Sequence, residues 1–115
     1  MSHICDTEVR VVTVLKQCKK ELDDFPEEVK GELADAVARL EIGHTLTMPL
    51  SRPMPSIGKG VHELRFRDRS GVYRVVYYLA GVGAVYLLHA FMKKKGQTPR
   101  QNTEIARKRL REVMK

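Results

Sequence analysis

The residues of this chain best suited to chemistry are cationic, and they crowd into its second half. Arg65 and Arg67 alternate along residues 61–67, and Arg74 interrupts the apolar run of 72–79. His89, Phe91 and Lys93 alternate along a segment that ends Lys93-Lys94-Lys95. Arginine grips phosphate through a fork of parallel N–H donors, histidine carries protons near neutral pH, and phenylalanine offers a plate on which a base can stack. These types fit cleavage of an RNA backbone by its own 2′-OH. That reaction needs a base for the 2′ proton, an acid for the 5′ oxygen and cations for the charge developing on the phosphoryl oxygens. DNA lacks the internal nucleophile. After residue 51 the only carboxylates are Glu63, Asp68, Glu104 and Glu112, too few where a two-metal nuclease would need them. There is no glycine-rich phosphate loop, HExxH, serine elbow or zinc-spaced Cys/His set. The expected chemistry is therefore metal-independent and free of cofactors.

Bland roles compete with these. Arg65 could pair with Glu63, Asp68 or a helix carboxylate and serve only the surface. His89, between Leu87, Leu88 and Phe91, has the setting of a satisfied core histidine, and Phe91 that of a core side chain. Arg74, inside an apolar strand, needs an acid partner or an anion.

Groups that are to converge must ride on neighbouring strands, and the patterning supplies them. Residues 61–67 alternate, with Leu64 and Phe66 on one side and Glu63, Arg65 and Arg67 on the other. Asp68-Arg69-Ser70-Gly71 reads as a turn, 72–79 as the returning strand, 80–83 as a second turn and 84–91 as a third strand. Connections this short make the three antiparallel neighbours. Upstream, 8–14 is β-branched and predicts a short strand; Leu15, Cys18 and Leu22 then predict an amphipathic helix. Asp24 and Pro26 would open a second helix striped by Val29, Leu33, Val37 and Leu40 and closed by Gly43. Residues 44–60, with Pro49, Pro53 and Pro55, read as a loop. Thr98-Pro99 begins a final helix, with Ala106, Leu110 and Val113 as its apolar stripe and Arg107, Lys108, Arg109 and Arg111 as a basic shell. The expected fold is α+β: an N-terminal strand and helical hairpin packed on an antiparallel sheet, with a C-terminal helix, in one domain over 1–115.

Bulk properties narrow the classes further. A chain of 115 residues has room for one core. Its net charge of +7 hides a split, with residues 1–51 at −4 and 52–115 at +11. A basic half of this strength favours a polyanionic partner. No run approaches the ~20 apolar residues of a membrane span, so no membrane partner is expected. With no secretory signal visible and only Cys5 and Cys18, a reducing, cytoplasmic setting is the simpler reading.

The blocks at 60–77 (Gly-Val-His-Glu-Leu-Arg-Phe-Arg-Asp-Arg-Ser-Gly-Val-Tyr-Arg-Val-Val-Tyr), 86–99 (with Leu-His-Ala-Phe-Met-Lys-Lys) and 105–110 resemble the phage-derived, HigB-like branch of the RelE/ParE toxin superfamily. Phe-Pro-Glu-Glu-Val at 25–29 is similar to the start of that branch's second helix. The resemblance implies a RelE-like fold and the toxin of a type II toxin–antitoxin pair. Such toxins act as endoribonucleases (mRNA interferases) that cleave messenger RNA without metal, commonly in the ribosomal A site, and so inhibit translation. It implies a small helix-turn-helix antitoxin as cognate partner. By the same resemblance Arg65, Arg74, His89, Lys93 and Lys94 are the expected catalytic residues. Arg67, Phe91 and Lys95 are the expected RNA-binding residues. A ParE-like inhibitor of DNA gyrase or a noncatalytic basic binding module are the alternatives.

Overall fold

A computed structural model of the protein describes residues 9–81, 83–93 and 99–115. The chain runs β1 (Val11–Val14), α1 (Lys16–Asp23), α2 (Glu27–Glu41), β2 (Ser51–Pro53), β3 (Val61–Asp68), β4 (Gly71–Ala80), β5 (Ala84–Lys93) and α3 (Arg100–Met114). The five strands form one sheet in the order β1-β5-β4-β3-β2.

The strands β3, β4 and β5 make an antiparallel meander, with Arg65 opposite Arg74 and Arg74 opposite Phe91. Its turns need glycine: Gly81 and Gly83 have φ of 54° and 80°, a region that side chains with a Cβ disfavour. Two features depart from the sequence expectation. The sheet is mixed rather than antiparallel, because β1 pairs with β5 in parallel, Val11 opposite Ala84 and Val14 opposite Leu87. The connection between β1 and β5 takes in the helical hairpin and the other three strands, far longer than the crossover that parallel strands require. Second, the proline-rich stretch read as a loop contains β2, which pairs with His62–Leu64. Pro53 is tolerated there because β2 is the edge strand and Pro53 need not donate outward.

The helix ends also differ in detail. Asp24 closes α1 instead of capping α2, whose N-cap is Pro26. Glu27 and Glu28 in the first turn of α2 favour the positive end of its dipole. Gly43, at φ 95°, follows the last residues of α2 and donates to the Leu40 carbonyl, the usual glycine stop.

Each face of the sheet is covered by helix. On one, Leu64, Phe66, Val75, Tyr77, Val85 and Leu87 pack against Cys18, Val29, Leu33 and Leu40 of α1 and α2. On the other, Val61, Val76, Leu88 and Phe91 pack against Ala106 and Leu110 of α3, with Met54 and Ile57 from the loop. Fully burying one such Leu contributes about 1.5–3 kcal/mol, so both cores matter to a chain of this size. The longer α1/α2 hairpin seals its face, whereas α3 contacts mainly β5. The apolar cluster under α3 reaches as far as Phe91, which lies opposite Arg74.

Candidate functional site

Strand register puts the expected residues on one face. On β3, Glu63, Arg65 and Arg67 lie opposite Val76, Arg74 and Val72 of β4; on β5, His89, Phe91 and Lys93 lie opposite the same three. The register shifts between Val76 and Tyr77, where Leu88 is the extra residue of β5. This bulge explains why Leu88 and its neighbour His89 both face α3, while Ala90, two residues after Leu88, packs toward α1 and α2.

An open cleft of about 200 Å³ lies at the uncovered end of this face, lined by Pro49, Arg65, Phe66, Arg67, Val72 and Arg74. Arg67 is exposed, Arg65 is half-buried and Arg74, only 3% exposed, forms the floor. Beneath it the wholly buried Glu63 accepts a hydrogen bond from Arg74 Nη1 at 2.5 Å. Arg74 thus has the acid partner that an arginine in an apolar strand requires. Removing one member of such a pair costs about 3–5 kcal/mol, since the other is left buried and charged. Arg74 Nε is buried with no hydrogen-bond partner among the described residues. Arg52 of β2, opposite Glu63, adds a further exposed cation to the same face.

Lys93 feels this cluster. Partial burial, then the charge of Arg74, and further those of Arg65 and Arg52, hold its ammonium below the ordinary lysine value of 10.5, with Glu63 acting against them. A lysine so placed loses its proton more readily than a free one and can serve as a proton carrier. Lys94 and Lys95 lie outside the described residues, as does Thr98.

His89 and Phe91 share the strand face but are not in the cleft lining. His89 is 3% exposed, under α3. Its Nε2 hydrogen-bonds Asn102 Oδ1 at 2.7 Å, while Nδ1 is 3.0 Å from Glu21 Oε1 and 3.2 Å from Arg109 Nη1. With Nε2 carrying the proton, the neutral ring donates to Asn102 and accepts from Arg109; a second proton, on Nδ1, would be donated to Glu21. Phe91 is 8% exposed, packs in the α3 core and stacks on His89, with centroids 5.1 Å apart. Both residues thus sit in the core settings named as the bland alternatives.

The same hub contains residues that sequence reasoning missed. Arg109 reaches across from α3 to clasp Glu21 of α1 with two bonds, Nη1–Oε1 at 2.8 Å and Nη2–Oε2 at 3.0 Å, and donates to the Leu88 carbonyl at 2.9 Å. Glu21 also accepts from the Ala90 amide at 3.1 Å. Burial would raise the Glu21 pKa, but Arg109, Ala90 and His89 outweigh it and hold the carboxyl below its ordinary value. One signal was available in the sequence: Arg109 follows Ala106 by three positions and adjoins Leu110, so it borders the apolar stripe of α3. Nothing local marked Glu21 as its partner.

Among the described residues, no group of three or more His, Cys, Asp or Glu could hold a metal ion. Nor is any helix of those residues long and apolar enough to cross a membrane.

An N-terminal strand, helical hairpin, five-stranded mixed sheet and C-terminal helix, with a basic cleft at the end of the meander, define an α+β domain of an architecture compatible with RelE/ParE-type toxins. The family model of the phage-derived protein Gp49-like group (DUF891) matches residues 20–111, and the chain belongs to that family. Among curated proteins, none matches the sequence.

Proposed function

We propose that this protein is a metal-independent endoribonuclease, the HigB-like toxin of a type II toxin–antitoxin pair, which cleaves messenger RNA and so inhibits translation. The observation that carries the reading is the cleft at the end of β3 and β4, where Arg65 and Arg67 stand above Arg74, with Lys93 outside the lining but opposite Val72 of the cleft wall. Three guanidinium groups around one open cleft suit a phosphodiester, whose charge grows on the phosphoryl oxygens as the 2′-OH attacks. Arg65 and Arg67 grip the phosphate and Arg74 supplies charge from the floor.

The burial of His89 shifts the proton-carrying role to Lys93, whose lowered pKa and cleft neighbours suit it to take the 2′ proton. His89 and Phe91 act from behind, by fixing β5 against α3. Lys94 and Lys95, which follow Lys93 in sequence, extend the cationic track along the RNA. On this reading the partners are a small helix-turn-helix antitoxin and messenger RNA, the latter held in the ribosomal A site, and the setting is the cytoplasm.

Mapping of 5′ ends on transcripts after brief expression tests this. New ends are expected with the wild-type chain and not with Arg65→Ala/Arg67→Ala, a variant that removes no ion pair seen among the described residues and should stay folded. Gyrase-dependent DNA breaks without transcript cuts would instead favour a ParE-like poison. Growth arrest with neither would favour a noncatalytic basic binding module.

A further inference from the structure

A buried carboxylate under a phosphate-binding cluster poses a physical puzzle. Glu63 is 0% exposed and sits among Arg74, Arg65, Arg52 and Lys93, where its negative charge lowers the potential that should attract an RNA backbone. A neutral side chain of the same shape would leave the cleft more positive and the RNA better bound. Something other than affinity must be gained.

The gain is visible in the geometry of Arg74. Glu63 takes Nη1 alone, while Nε, also buried, has no partner among the described residues. In a guanidinium the Nε–H lies parallel to one N–H of Nη2, and that edge is the fork which meets two oxygens of a phosphate side-on. An unpaired buried donor is unfavourable until an acceptor arrives, so it is a group waiting for a ligand.

We propose that Glu63 is a positioning residue: by holding Nη1 it fixes the Arg74 guanidinium with its Nε edge kept for an oxygen of the scissile phosphate. This deepens the nuclease reading and rests on it. Glu63 does not touch the RNA. It exchanges binding strength for the orientation of a buried cation that cannot swing, whereas Arg65 and Arg67 at the rim remain adjustable.

The two effects have opposite signs in Glu63→Gln, which keeps the shape and removes the charge. Turnover per folded molecule on an RNA oligonucleotide should fall at least tenfold. The Kd for the same oligonucleotide with a 2′-deoxy nucleotide at the cleavage position should be unchanged or lower. A residue that merely supports the fold would reduce the folded fraction and leave turnover per folded molecule intact. Unchanged turnover in folded Glu63→Gln, or binding weakened in step with turnover, overturns the proposal. If Glu63→Gln does not fold, Glu63→Asp keeps the charge but draws the acceptor back by one methylene. It should lose turnover with unchanged Kd, and wild-type turnover there also overturns the proposal. A second readout separates failure of this proposal from failure of the nuclease reading. The Arg74 Nε–H resonance should shift when the 2′-deoxy oligonucleotide is added to wild type, and less so in the variant. A shift without RNA cleavage would retain the positioning role and refute the nuclease; cleavage with no shift would do the reverse.

Discussion

Removal of the Arg109 guanidinium probes how α3 is fastened to the rest of the domain. In Arg109→Met the stem remains, so its packing is largely kept, but two bonds to Glu21, one to the Leu88 carbonyl and the contact with His89 Nδ1 are lost. Hydrogen bonds to charged groups are worth about 1.5–3 kcal/mol each when intact. Glu21 is 26% exposed and keeps the Ala90 amide, so water and the backbone recover part of the loss. The expected destabilisation is about 2–3 kcal/mol, or a fall in Tm of about 8–12 °C for a domain near this size. The pH dependence carries a sign. The Glu21 pKa is depressed in the folded state, so its contribution is present above the unfolded carboxylate value and is lost as pH falls through the lower folded value. The gap between wild type and variant should therefore be widest near neutrality and shrink below about pH 4. Urea denaturation at several pH values measures both, and Glu21→Gln with the double variant completes a cycle whose coupling should exceed about 1 kcal/mol. A loss under 1 kcal/mol, a coupling near zero, or a gap that widens in acid would refute the fastening role.

Other consequences follow from the site and the core. Arg65→Ala and Arg67→Ala should each weaken RNA binding and reduce the slope of log K against log salt by roughly one phosphate contact, with Tm changed by little; a titration across salt concentrations checks this. For Lys93→Met, turnover should drop by about 10²–10⁴-fold. In the wild type, turnover should rise with pH through a limb below the ordinary lysine value, and a rate that falls over that limb would remove Lys93 from the base role. Cys18, wholly buried and with its thiol pushed up to about 12 by burial first and then by Glu21, should resist a thiol reagent at pH 8 until the protein is unfolded. Rapid labelling of Cys18 in the native protein would show that α1 opens far more readily than its packing implies.

What could be read from the sequence, and what could not, divides along the range of the interactions. The meander was legible because alternation and turn residues are local: Arg65 and Arg74 fall directly opposite each other, as the three tight strands require. The α1/α2 hairpin and its Gly43 stop were legible for the same reason. Parallel pairing of β1 with β5 joins residues about seventy positions apart and leaves no local mark. β2 was hidden by its prolines, which an edge strand tolerates. At the site, alternation placed Glu63 with the arginines but could not say which of Arg65 and Arg74 it would take; burial decided for Arg74. The setting of His89 was harder to read, since its partners Glu21, Asn102 and Arg109 come from α1 and α3 and meet only in the folded chain.

The central claim, that the basic cleft promotes attack by the RNA's own 2′-OH without a metal, is tested most directly by the chemistry of the cut ends. Transcripts cleaved by the wild-type protein in a translating extract should end in a 2′,3′-cyclic phosphate, with a 5′-hydroxyl on the downstream fragment. A 2′-deoxy nucleotide at the cleavage position should abolish the cut. Ends carrying 3′-hydroxyl and 5′-phosphate, or cleavage that persists past the 2′-deoxy nucleotide, would contradict it.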